Sequence, residues 1–381
     1  MAVFASWWST ALGDNYLEEL KRFLKSEFRE FDIVVMPDFF LDRLISLNWN
    51  VKTFSRYLQN IAKKKGGSAD GIKQTEFRGG NAINTASALA ALGMKATPIV
   101  CTNKLGIQLI KFYLKQYRVN FSHIKIFDKL SITTAMEFKT INGKVNVMLR
   151  DVGGLSNFGP HHLNNDDFEA IEKADYVCVF NWAGTRNFGT ELVKTVFRHV
   201  KTRGKGKTYC DTADPTPNMK KIPELMETVL QSRYVNILSV NENEAIRYAS
   251  QLSDEIKELG KSLRFEELAK QSARILASRL SARVDLHTTN FSATFTKKSE
   301  TVVSAFKVPV LRTTGAGDSW NAGNILGDAH RLSEGCRLTL ANAVAAHYIS
   351  NPDEMHPTRK QLIKFCEKLK RVRQIKKLSS A

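Results

Sequence analysis

The sequence lacks the features that mark membrane and secreted proteins. No stretch reaches the ~18 to 20 uninterrupted apolar residues that a transmembrane helix needs. Residues 1–12 contain neither the basic segment nor the apolar core of a secretory signal. The five cysteines are scattered, without a CxxC or another metal-ligand spacing. We therefore expect a cytoplasmic protein with reduced thiols that does not use a membrane as partner.

Internal repeats, low-complexity segments and proline-rich linkers are also missing, so we interpret the chain as one main domain at residues 31–358. Apolar segments typical of buried strands, beginning at residues 31–37, alternate with segments of helical periodicity. This alternation predicts an α/β fold, in which helices cover both faces of a mostly parallel central sheet.

A small β flap, or lid, is predicted from two insertions in this domain, at about residues 44–78 and 129–152. Apolar and polar residues alternate on both sides of Asn142-Gly143, a dipeptide that strongly indicates a β-hairpin. Because the hairpin follows the first strand–helix units, we expect it to extend over the edge of the parallel sheet, where flaps commonly cover active sites.

Both ends of the chain are predicted to be helical. Residues 1–30 carry leucine and phenylalanine at helical spacing, which predicts an N-terminal helical extension. Residues 359–381 predict a basic C-terminal helix, because nine Lys or Arg and one acid stand between residues 359 and 377 among regularly spaced apolar residues.

The net charge of +18 is compatible with nucleic acid, an anionic membrane surface or anionic small substrates. A solvated basic face on the final helix accounts for part of this charge. No zinc-finger or aromatic RNA-binding signature accompanies it, so the sequence does not favour nucleic acid as partner.

The segment Thr313-Thr314-Gly315-Ala316-Gly317-Asp318 combines a glycine turn with a carboxylate. It follows an apolar, β-branched run at residues 302–311 and precedes small residues that favour a helix. The free N–H groups and the dipole of a helix start suit a phosphate. A bound phosphate would repel Asp318 unless that residue accepts a proton from an attacking hydroxyl. The alternative is an ordinary strand–turn–helix junction with an N-capping aspartate.

A second glycine turn, Gly79-Gly80-Asn81, opens an alanine-rich helix. Glycines let a backbone approach a ligand, and the amide of Asn81 can both donate and accept hydrogen bonds. Asp38 and Asp42 follow the first predicted strand, at the sheet edge where open α/β folds bind ligands. Turn chemistry and helix capping are the alternative explanation for both aspartates.

A third polar turn, Asn241-Glu242-Asn243-Glu244, follows another predicted strand. The spacing puts Asn241 and Glu244 on one face of the first helical turn, where they could order Mg²⁺ waters and a nucleotide phosphate. A capping box has almost the same pattern. Further along, Asn342 stands among alanines, where a buried amide needs partners.

These three motifs, in this order, resemble those of the ribokinase-like sugar and nucleoside kinases, also called the phosphofructokinase-B (PfkB) family. The resemblance covers residues 31–351 and implies a three-layer α/β/α sandwich with a β lid. It implies Asp318 as catalytic base, with Gly315, Ala316 and Gly317 as the anion hole. The implied substrate-binding residues are Asp42, Gly79, Gly80, Asn81 and Asn84. The implied nucleotide-binding residues are Asn241, Thr314 and Asn342, and the residue that orders Mg²⁺, through water, is Glu244.

Three positions depart from the family pattern. Arg312 stands where the family usually has an aspartate that helps to hold K⁺ in cation-dependent members, so we do not expect potassium activation of that kind. Arg312 could instead contact a phosphate or form a salt bridge. The turn at residues 37–40 lacks the usual glycine and asparagine. Lys104 replaces an acidic turn and would accept an anionic sugar such as a sugar phosphate.

We therefore predict a phosphotransferase that uses ATP, or ADP as in related sugar kinases, with Mg²⁺, to phosphorylate a sugar or sugar phosphate. A nucleoside kinase is the first alternative, because Phe39, Phe40 and Trp182 could stack a base. A non-catalytic binding protein that uses its basic tail on RNA is the second. A homodimer is compatible with a flap that pairs with its copy.

Overall fold

The computed structural model describes residues 15–141, 143–353 and 355–378, without the side chains of residues 143, 144 and 370–378. Residues 1–14 of the predicted N-terminal extension, Asn142 of the predicted hairpin turn and residues 379–381 of the predicted final helix lie outside the described residues.

The described chain forms a large sheet, a lid sheet and a two-stranded sheet. The strands in chain order are β1 (Asp32–Met36), β2 (Phe40–Ser46), β3 (Lys73–Gly79), β4 (Lys95–Pro98), β5 (Cys101–Thr102), β6 (Lys125–Ile126), β7 (Ser131–Thr140), β8 (Gly143–Asp151), β9 (Tyr176–Phe180), β10 (Lys207–Asp211), β11 (Ile237–Val240), β12 (Arg283–His287), β13 (Phe291–Phe295) and β14 (Glu300–Ser304). The large sheet has the order β14-β13-β12-β11-β10-β9-β1-β4. In this order the neighbouring strands from β12 to β4 are parallel, whereas β13 and β14 extend the sheet through antiparallel pairs.

Helices cover both faces of this sheet. They are α1 (15–25), α2 (Val51–Lys63), α3 (Asn81–Ala91), α4 (Lys104–Leu114), α5 (Asn165–Lys173), α6 (Gly189–Arg203), α7 (Ile222–Leu225), α8 (Glu242–Ala249), α9 (Glu255–Leu259), α10 (Phe265–Arg279), α11 (Ala316–Ala329), α12 (Glu334–Ser350) and α13 (Arg359–Leu378). Shorter 3₁₀ or π turns occupy Gly153–Asn157, Pro160–His162, Thr216–Lys221 and Met226–Leu230.

Alternate side chains of the parallel strands enter two separate cores, because successive residues of a strand point to opposite faces. In β9, Val177 and Val179 pack with residues of α6, α8 and α10, whereas Cys178 and Phe180 pack with residues of α3, α11 and α12. Both cores are buried, which explains the continuous apolar runs of these strands. The predicted three-layer α/β/α sandwich is confirmed.

The lid is a four-stranded sheet of order β3-β2-β7-β8. Strands β2 and β7 are parallel, and β3 and β8 pair antiparallel at the two edges. The predicted Asn142-Gly143 hairpin corresponds to β7 and β8. Strand β2 begins at Phe40, earlier than the predicted lid boundary at residue 44, because Phe40 already pairs with Gly79 and Ser131.

Two strand assignments differ from the sequence-based expectation. Strand β13 was not anticipated, since its connection to β14 at residues 296–299 carries no hairpin dipeptide. The run at residues 302–311 is a strand only as far as Ser304. Pro309 has no N–H for a sheet, and beyond it the backbone of Leu311 bonds to Ile349. Within the described residues, no helix combines the length and apolarity needed to cross a membrane.

Candidate active site

A cavity of about 500 Å³ lies between the carboxyl ends of the parallel strands and one face of the lid. Polar residues that end or follow consecutive strands line it, which is where ligands bind in open α/β sheets. These residues are Asp38 after β1, Asn181 after β9, Asp211 at the end of β10, Asn241 after β11 and His287 at the end of β12. The candidate site therefore combines residues from most of the chain.

The glycine turn before α11 forms one wall of the cavity. Gly315 has a φ of 82°, and a Cβ at this position would lie 3.0 Å from the ring of Tyr348. Thr313, Thr314, Gly315 and Gly317 line the cavity. The N–H of Ala316 bonds to the carbonyl of Thr313 at 3.2 Å, whereas those of Gly317 and Asp318 find no acceptor among the described residues. Free N–H groups at a helix start suit an anion.

Asp318 connects this turn to the second glycine motif. Its two carboxylate oxygens accept hydrogen bonds from the side-chain amides of Asn81 at 2.8 Å and Asn84 at 2.9 Å. Burial raises the pKa of Asp318 to about 8, aided by the negative charges of Asp211 and Asp38 and opposed by both amides. Such a buried carboxylate has a high affinity for a proton, as a general base requires.

Asp38 caps helix α3. Its carboxylate accepts hydrogen bonds from the backbone N–H groups of Asn81 and Ala82, both at 2.9 Å, and from the amide of Asn181 at 2.7 Å. Burial raises the pKa of Asp38, while these hydrogen bonds lower it. Gly80, with a φ of 91°, lets the chain pass Asp38, because a Cβ there would lie 2.9 Å from the Asp38 carbonyl.

Asp42 lies on β2 and lines the cavity. Burial raises its pKa to about 6, and a hydrogen bond with Thr133 and the charge of Arg150 oppose this shift. A Cβ on Gly79 would fall 2.3 Å from the Asp42 carboxyl carbon. Gly79 itself is not among the described cavity-lining residues, so it acts by leaving room for the Asp42 carboxyl.

Asn241 and Glu244 line the cavity and also form the capping box of α8. The Asn241 side chain accepts from the Glu244 N–H at 3.0 Å, and the Glu244 carboxylate accepts from the N–H and the amide of Asn241 at 2.9 and 2.8 Å. Burial and the charge of Asp211 raise the pKa of Glu244 well above its usual range. The capping interpretation of this motif is confirmed, and binding of a nucleotide or Mg²⁺ by the same residues stays a prediction.

These carboxylates fit a magnesium ion held mainly through water and phosphate. Among the described residues, no group of three His, Cys, Asp or Glu side chains could ligate a metal directly. Mg²⁺ usually retains waters and takes one or two carboxylates together with substrate phosphates. A cation near Glu244 and Asp211 would relieve the mutual repulsion that raises the pKa of Glu244.

Asn342 lies away from the cavity lining. Its side-chain oxygen accepts from Ser292 at 2.6 Å and Trp320 at 3.0 Å, and its amide donates to the carbonyl of Ser304 at 3.3 Å. These bonds join α12 to α11, β13 and β14. Its predicted contact with a nucleotide stays a prediction.

Arg312 is bound by backbone carbonyls at the end of α12. Its guanidinium donates to the carbonyls of Tyr348 at 3.0 Å, Asn351 at 2.6 Å and Pro352 at 3.3 Å. It also lies 5.5 Å from the centroid of the Tyr348 ring, which contacts Gly315. Arg312 therefore fastens the start of the glycine turn to α12.

Several polar residues of the cavity had no role predicted from the sequence. Asp211 and Asn181 follow predicted strands, and their position at strand ends is the signal that could have found them. The ring of His287 is tilted against that of Trp320, with the centroids 5.0 Å apart, and its buried Nε2 has no partner among the described residues. A Cβ on Gly317 would lie 3.4 Å from this imidazole, so His287 adjoins the glycine turn.

Sequence comparison agrees with this geometry. The family model described as pfkB family carbohydrate kinase matches residues 52–361. The chain belongs to the pfkB family. The resemblance drawn from the three glycine and asparagine motifs is thereby confirmed. The comparison with curated protein sequences gives no match.

Solved structures show the same fold as this pfkB-family protein. Arabidopsis thaliana ribokinase, solved with ribose and ATP, is 19% identical with a TM-score of 0.66, covering 89% of this chain and 99% of that one. A nucleoside kinase of Methanocaldococcus jannaschii is 16% identical, with a TM-score of 0.63 and coverages of 90% and 100%. Adenosine kinase from Sinorhizobium meliloti is 17% identical, with a TM-score of 0.66 and coverages of 89% and 99%. These identities establish the ribokinase-like fold and leave the substrate open.

Proposed function

We propose that the protein transfers a phosphoryl group from a nucleotide, ATP in preference to ADP, to a hydroxyl of a sugar or sugar phosphate. The observation that carries this proposal is the position of Asp318, buried beside the first turn of α11 and bonded to Asn81 and Asn84. A base next to an anion-binding helix start is the arrangement that phosphoryl transfer to a hydroxyl requires.

In this mechanism Asp318 takes the proton of the substrate hydroxyl. The hydroxyl oxygen bonds to phosphorus, the bond from phosphorus to the bridging oxygen breaks, and the nucleotide leaves with that electron pair. The free N–H groups of Gly317 and Asp318 stabilise charge on the transferring group, with Gly315 and Ala316 shaping the turn. Asp42 orients substrate hydroxyls from the lid, as the family resemblance implies.

The nucleotide occupies the side of the cavity formed by Thr314, Asn241 and Glu244 in this proposal. Glu244, with Asp211, would hold Mg²⁺ through water, and the ion supplies charge neutralisation on the nucleotide phosphates. The lid covers the substrate side and limits the access of water, which reduces hydrolysis of the donor. We place this activity in the cytoplasm.

The cavity walls favour a sugar over a nucleoside as acceptor. Of the three aromatic residues proposed to stack a base, Phe40 lines the cavity, whereas Phe39 and Trp182 are buried in the cores and are not among its described lining residues. The guanidinium of Arg150 covers the Phe40 ring at 5.2 Å from its centroid. A base would have to displace Arg150 to stack there.

Replacement of the base tests the proposal. Asp318→Asn is expected to fold and bind ligand but to lose at least ~10² to 10⁴-fold in kcat, because general-base catalysis contributes that much. The exposed Asp254, which pairs with Lys257 on the surface, gives the matched control Asp254→Asn. Steady-state kinetics with a panel of sugars, sugar phosphates and nucleosides, using ATP or ADP, is the measurement. Near-normal kcat in Asp318→Asn would overturn the assignment of this residue.

The same panel distinguishes a phosphotransferase from a non-catalytic binding protein. Tight, salt-sensitive RNA binding without phosphoryl transfer to any acceptor would favour a binding protein instead.

A further inference from the structure

His356 connects the lid to a buried part of the main domain. It lies in the loop between α12 and α13 and is 1% exposed. Its Nδ1 lies 2.7 Å from the Nη2 of Arg78 on lid strand β3 and 3.0 Å from the hydroxyl of Ser87 on α3. An arginine can only donate, so Nδ1 accepts and the imidazole proton is on Nε2. Burial and the charges of Arg78 and Arg312 lower the pKa of His356 well below its usual range, which keeps the imidazole neutral.

The same imidazole reaches the glycine turn through Tyr348. The rings of His356 and Tyr348 stack, with centroids 4.5 Å apart and planes inclined by 23°. A Cβ at Gly315 would lie 3.0 Å from the Tyr348 hydroxyl, so the tyrosine packs against the backbone at the start of α11. Arg312 binds the carbonyls of Tyr348 and Asn351, which fastens the start of the loop that carries His356 to the segment before the turn.

Two glycines form the covalent connection from β3 to α3. Gly79 and Gly80 directly follow Arg78, and Gly80 has a φ of 91°. Glycines absorb changes in φ and ψ with little strain, so this connection permits the lid to turn relative to the main domain. The hydrogen bond from Arg78 to His356 bypasses the two glycines, and a change in the orientation of the lid would therefore change this bond.

Stacking on Tyr348 does not by itself account for a histidine at this position. The buried Nε2 of His356 has no partner in the part of the chain that the structure describes. A buried donor without a partner is destabilising, and a phenylalanine would stack without that penalty. What the histidine adds is an acceptor for Arg78. A hydrogen bond from a charged donor can shift an equilibrium by about 10- to 100-fold, which is enough to select one lid orientation.

We propose that His356 is a positioning residue for phosphoryl transfer, which links the orientation of the lid, through Arg78, to the shape of the glycine turn, through Tyr348. This proposal rests on the phosphotransferase function proposed above. His356 is not one of the described residues that line the cavity, so it acts through its two neighbours, which do line it. Because such a linkage is reciprocal, a nucleotide at the glycine turn stabilises the lid orientation in which Arg78 meets His356.

Amide hydrogen exchange of the lid, with and without the non-hydrolysable ATP analogue AMP-PNP and Mg²⁺, tests the proposal. In the wild type, we expect AMP-PNP to slow exchange in β2 and β3 by about tenfold, within the usual range of coupling between two sites. His356→Phe keeps the stacked ring but removes the acceptor, and Arg78→Met removes the donor at a half-buried position where folding is less at risk. Both variants should bind AMP-PNP, as measured by calorimetry, with the slowing reduced to less than about twofold.

A conservative variant separates positioning from stability. Arg78→Lys keeps a charged donor, so it should restore the slowing to at least about threefold. A purely structural role would instead lower the Tm of His356→Phe and leave the effect of AMP-PNP on the lid unchanged.

The matched control is Arg43→Gln. Arg43 is also a lid arginine that lines the cavity, but its ion pair is with Glu76 of the neighbouring lid strand. This variant should keep the full slowing. Unchanged slowing in Arg78→Met, or a wild-type lid that does not respond to bound AMP-PNP, would overturn the role of His356 and leave the phosphotransferase function standing. Absence of binding of both AMP-PNP and ADP would overturn the proposed function and this inference with it.

Discussion

At the scale of single residues, burial and hydrogen bonding act in opposite directions on Asp318. Burial and two nearby carboxylates raise its pKa, and the amides of Asn81 and Asn84 lower it, with a net value of about 8. The proposed base is therefore protonated in the free protein at neutral pH. Its environment destabilises the charged form of the carboxylate and thereby raises its affinity for the substrate proton.

This pKa predicts how activity and stability depend on pH. We expect kcat/KM to rise about tenfold per pH unit up to about pH 8 and then to level. Because the folded-state pKa exceeds the unfolded value, the contribution of Asp318 to stability is present at low pH and is lost as pH rises through about 8. The Tm advantage of Asp318→Asn over the wild type should therefore grow from pH 4 to pH 9. A constant difference in thermal melts across this range would contradict the prediction.

Asp38 and Asp42 are expected to respond differently to replacement by alanine. Asp38→Ala leaves the N–H groups of Asn81 and Ala82 and the amide of Asn181 without their acceptor, and should cost at least ~2 kcal/mol in the free energy of unfolding. Asp42→Ala removes a carboxyl group whose raised pKa shows that burial penalises its charged form. The free energy of unfolding of this variant should therefore change by less than about 1 kcal/mol. Its effect should be a raised KM for the acceptor. Urea unfolding and steady-state kinetics of both variants are the measurements, and equal losses of stability would contradict this division of roles.

Arg312 supplies a permanent positive charge to three carbonyls, one in the last turn of α12 and two just beyond its end. A cation at a helix C-terminus is stabilising, and in this protein the guanidinium of Arg312 is that cation. We therefore predict that kcat is the same in potassium and in tetramethylammonium salts of equal ionic strength. Arg312→Gln should lower kcat by about tenfold, because a charged hydrogen bond that positions the turn is worth about that much. Activation of the wild type by potassium would contradict this prediction.

At the scale of elements, helix α1 belongs to the core of the domain. Its residues Leu17, Leu20 and Leu24 are buried in the same core as residues of α3, α12 and α13. Arg359 of α13 also donates to the carbonyl of Leu24 at 2.6 Å. The predicted N-terminal extension, in its described part, therefore contributes to the packing of the kinase domain.

Truncation of one leucine measures this contribution. Leu20 is fully buried, so Leu20→Ala should lower the free energy of unfolding by ~2 to 5 kcal/mol. Leu105, with 57% exposure on α4, provides the control Leu105→Ala, for which we expect less than about 0.5 kcal/mol. Chemical denaturation of the two variants distinguishes a packed helix from an appended one, and equal effects would contradict the packing role.

At the scale of the whole molecule, the lid has an exposed apolar face. Ile132, Val145, Val147 and Leu149 are between 38% and 57% exposed on β7 and β8, and β8 is an edge strand. Exposed apolar strand edges are surfaces for pairing with another chain. We propose that two copies associate through this face.

Sedimentation analysis tests this association. The wild type is expected to be a dimer, and Leu149→Lys to be a monomer, because a charge in an apolar interface is costly. Phe112, with 64% exposure on α4, provides the control Phe112→Lys, which should remain a dimer. A monomeric wild type across concentrations would contradict the proposal.

The family, the α/β class and the hairpin of the lid could all be predicted from the amino-acid sequence alone. These properties follow from local patterns, since strand and helix periodicities and glycine turns are set by neighbouring residues. The motifs around Gly80, Asn241 and Gly315, which were identified from the sequence, all contribute residues to the cavity wall.

The hydrogen-bond partner of each buried polar side chain depends on the folded chain and could not be predicted from the sequence. Asn84 reaches Asp318 across 234 residues of chain, Asp38 caps a helix that begins far along the sequence, and Arg312 binds carbonyls at the end of another helix. Long-range packing selects these partners, because a buried polar group bonds to whichever acceptor or donor the fold brings within reach. The position of Arg150 in the cavity, without an ion pair to any described residue, is likewise a property of the folded chain and of no local pattern.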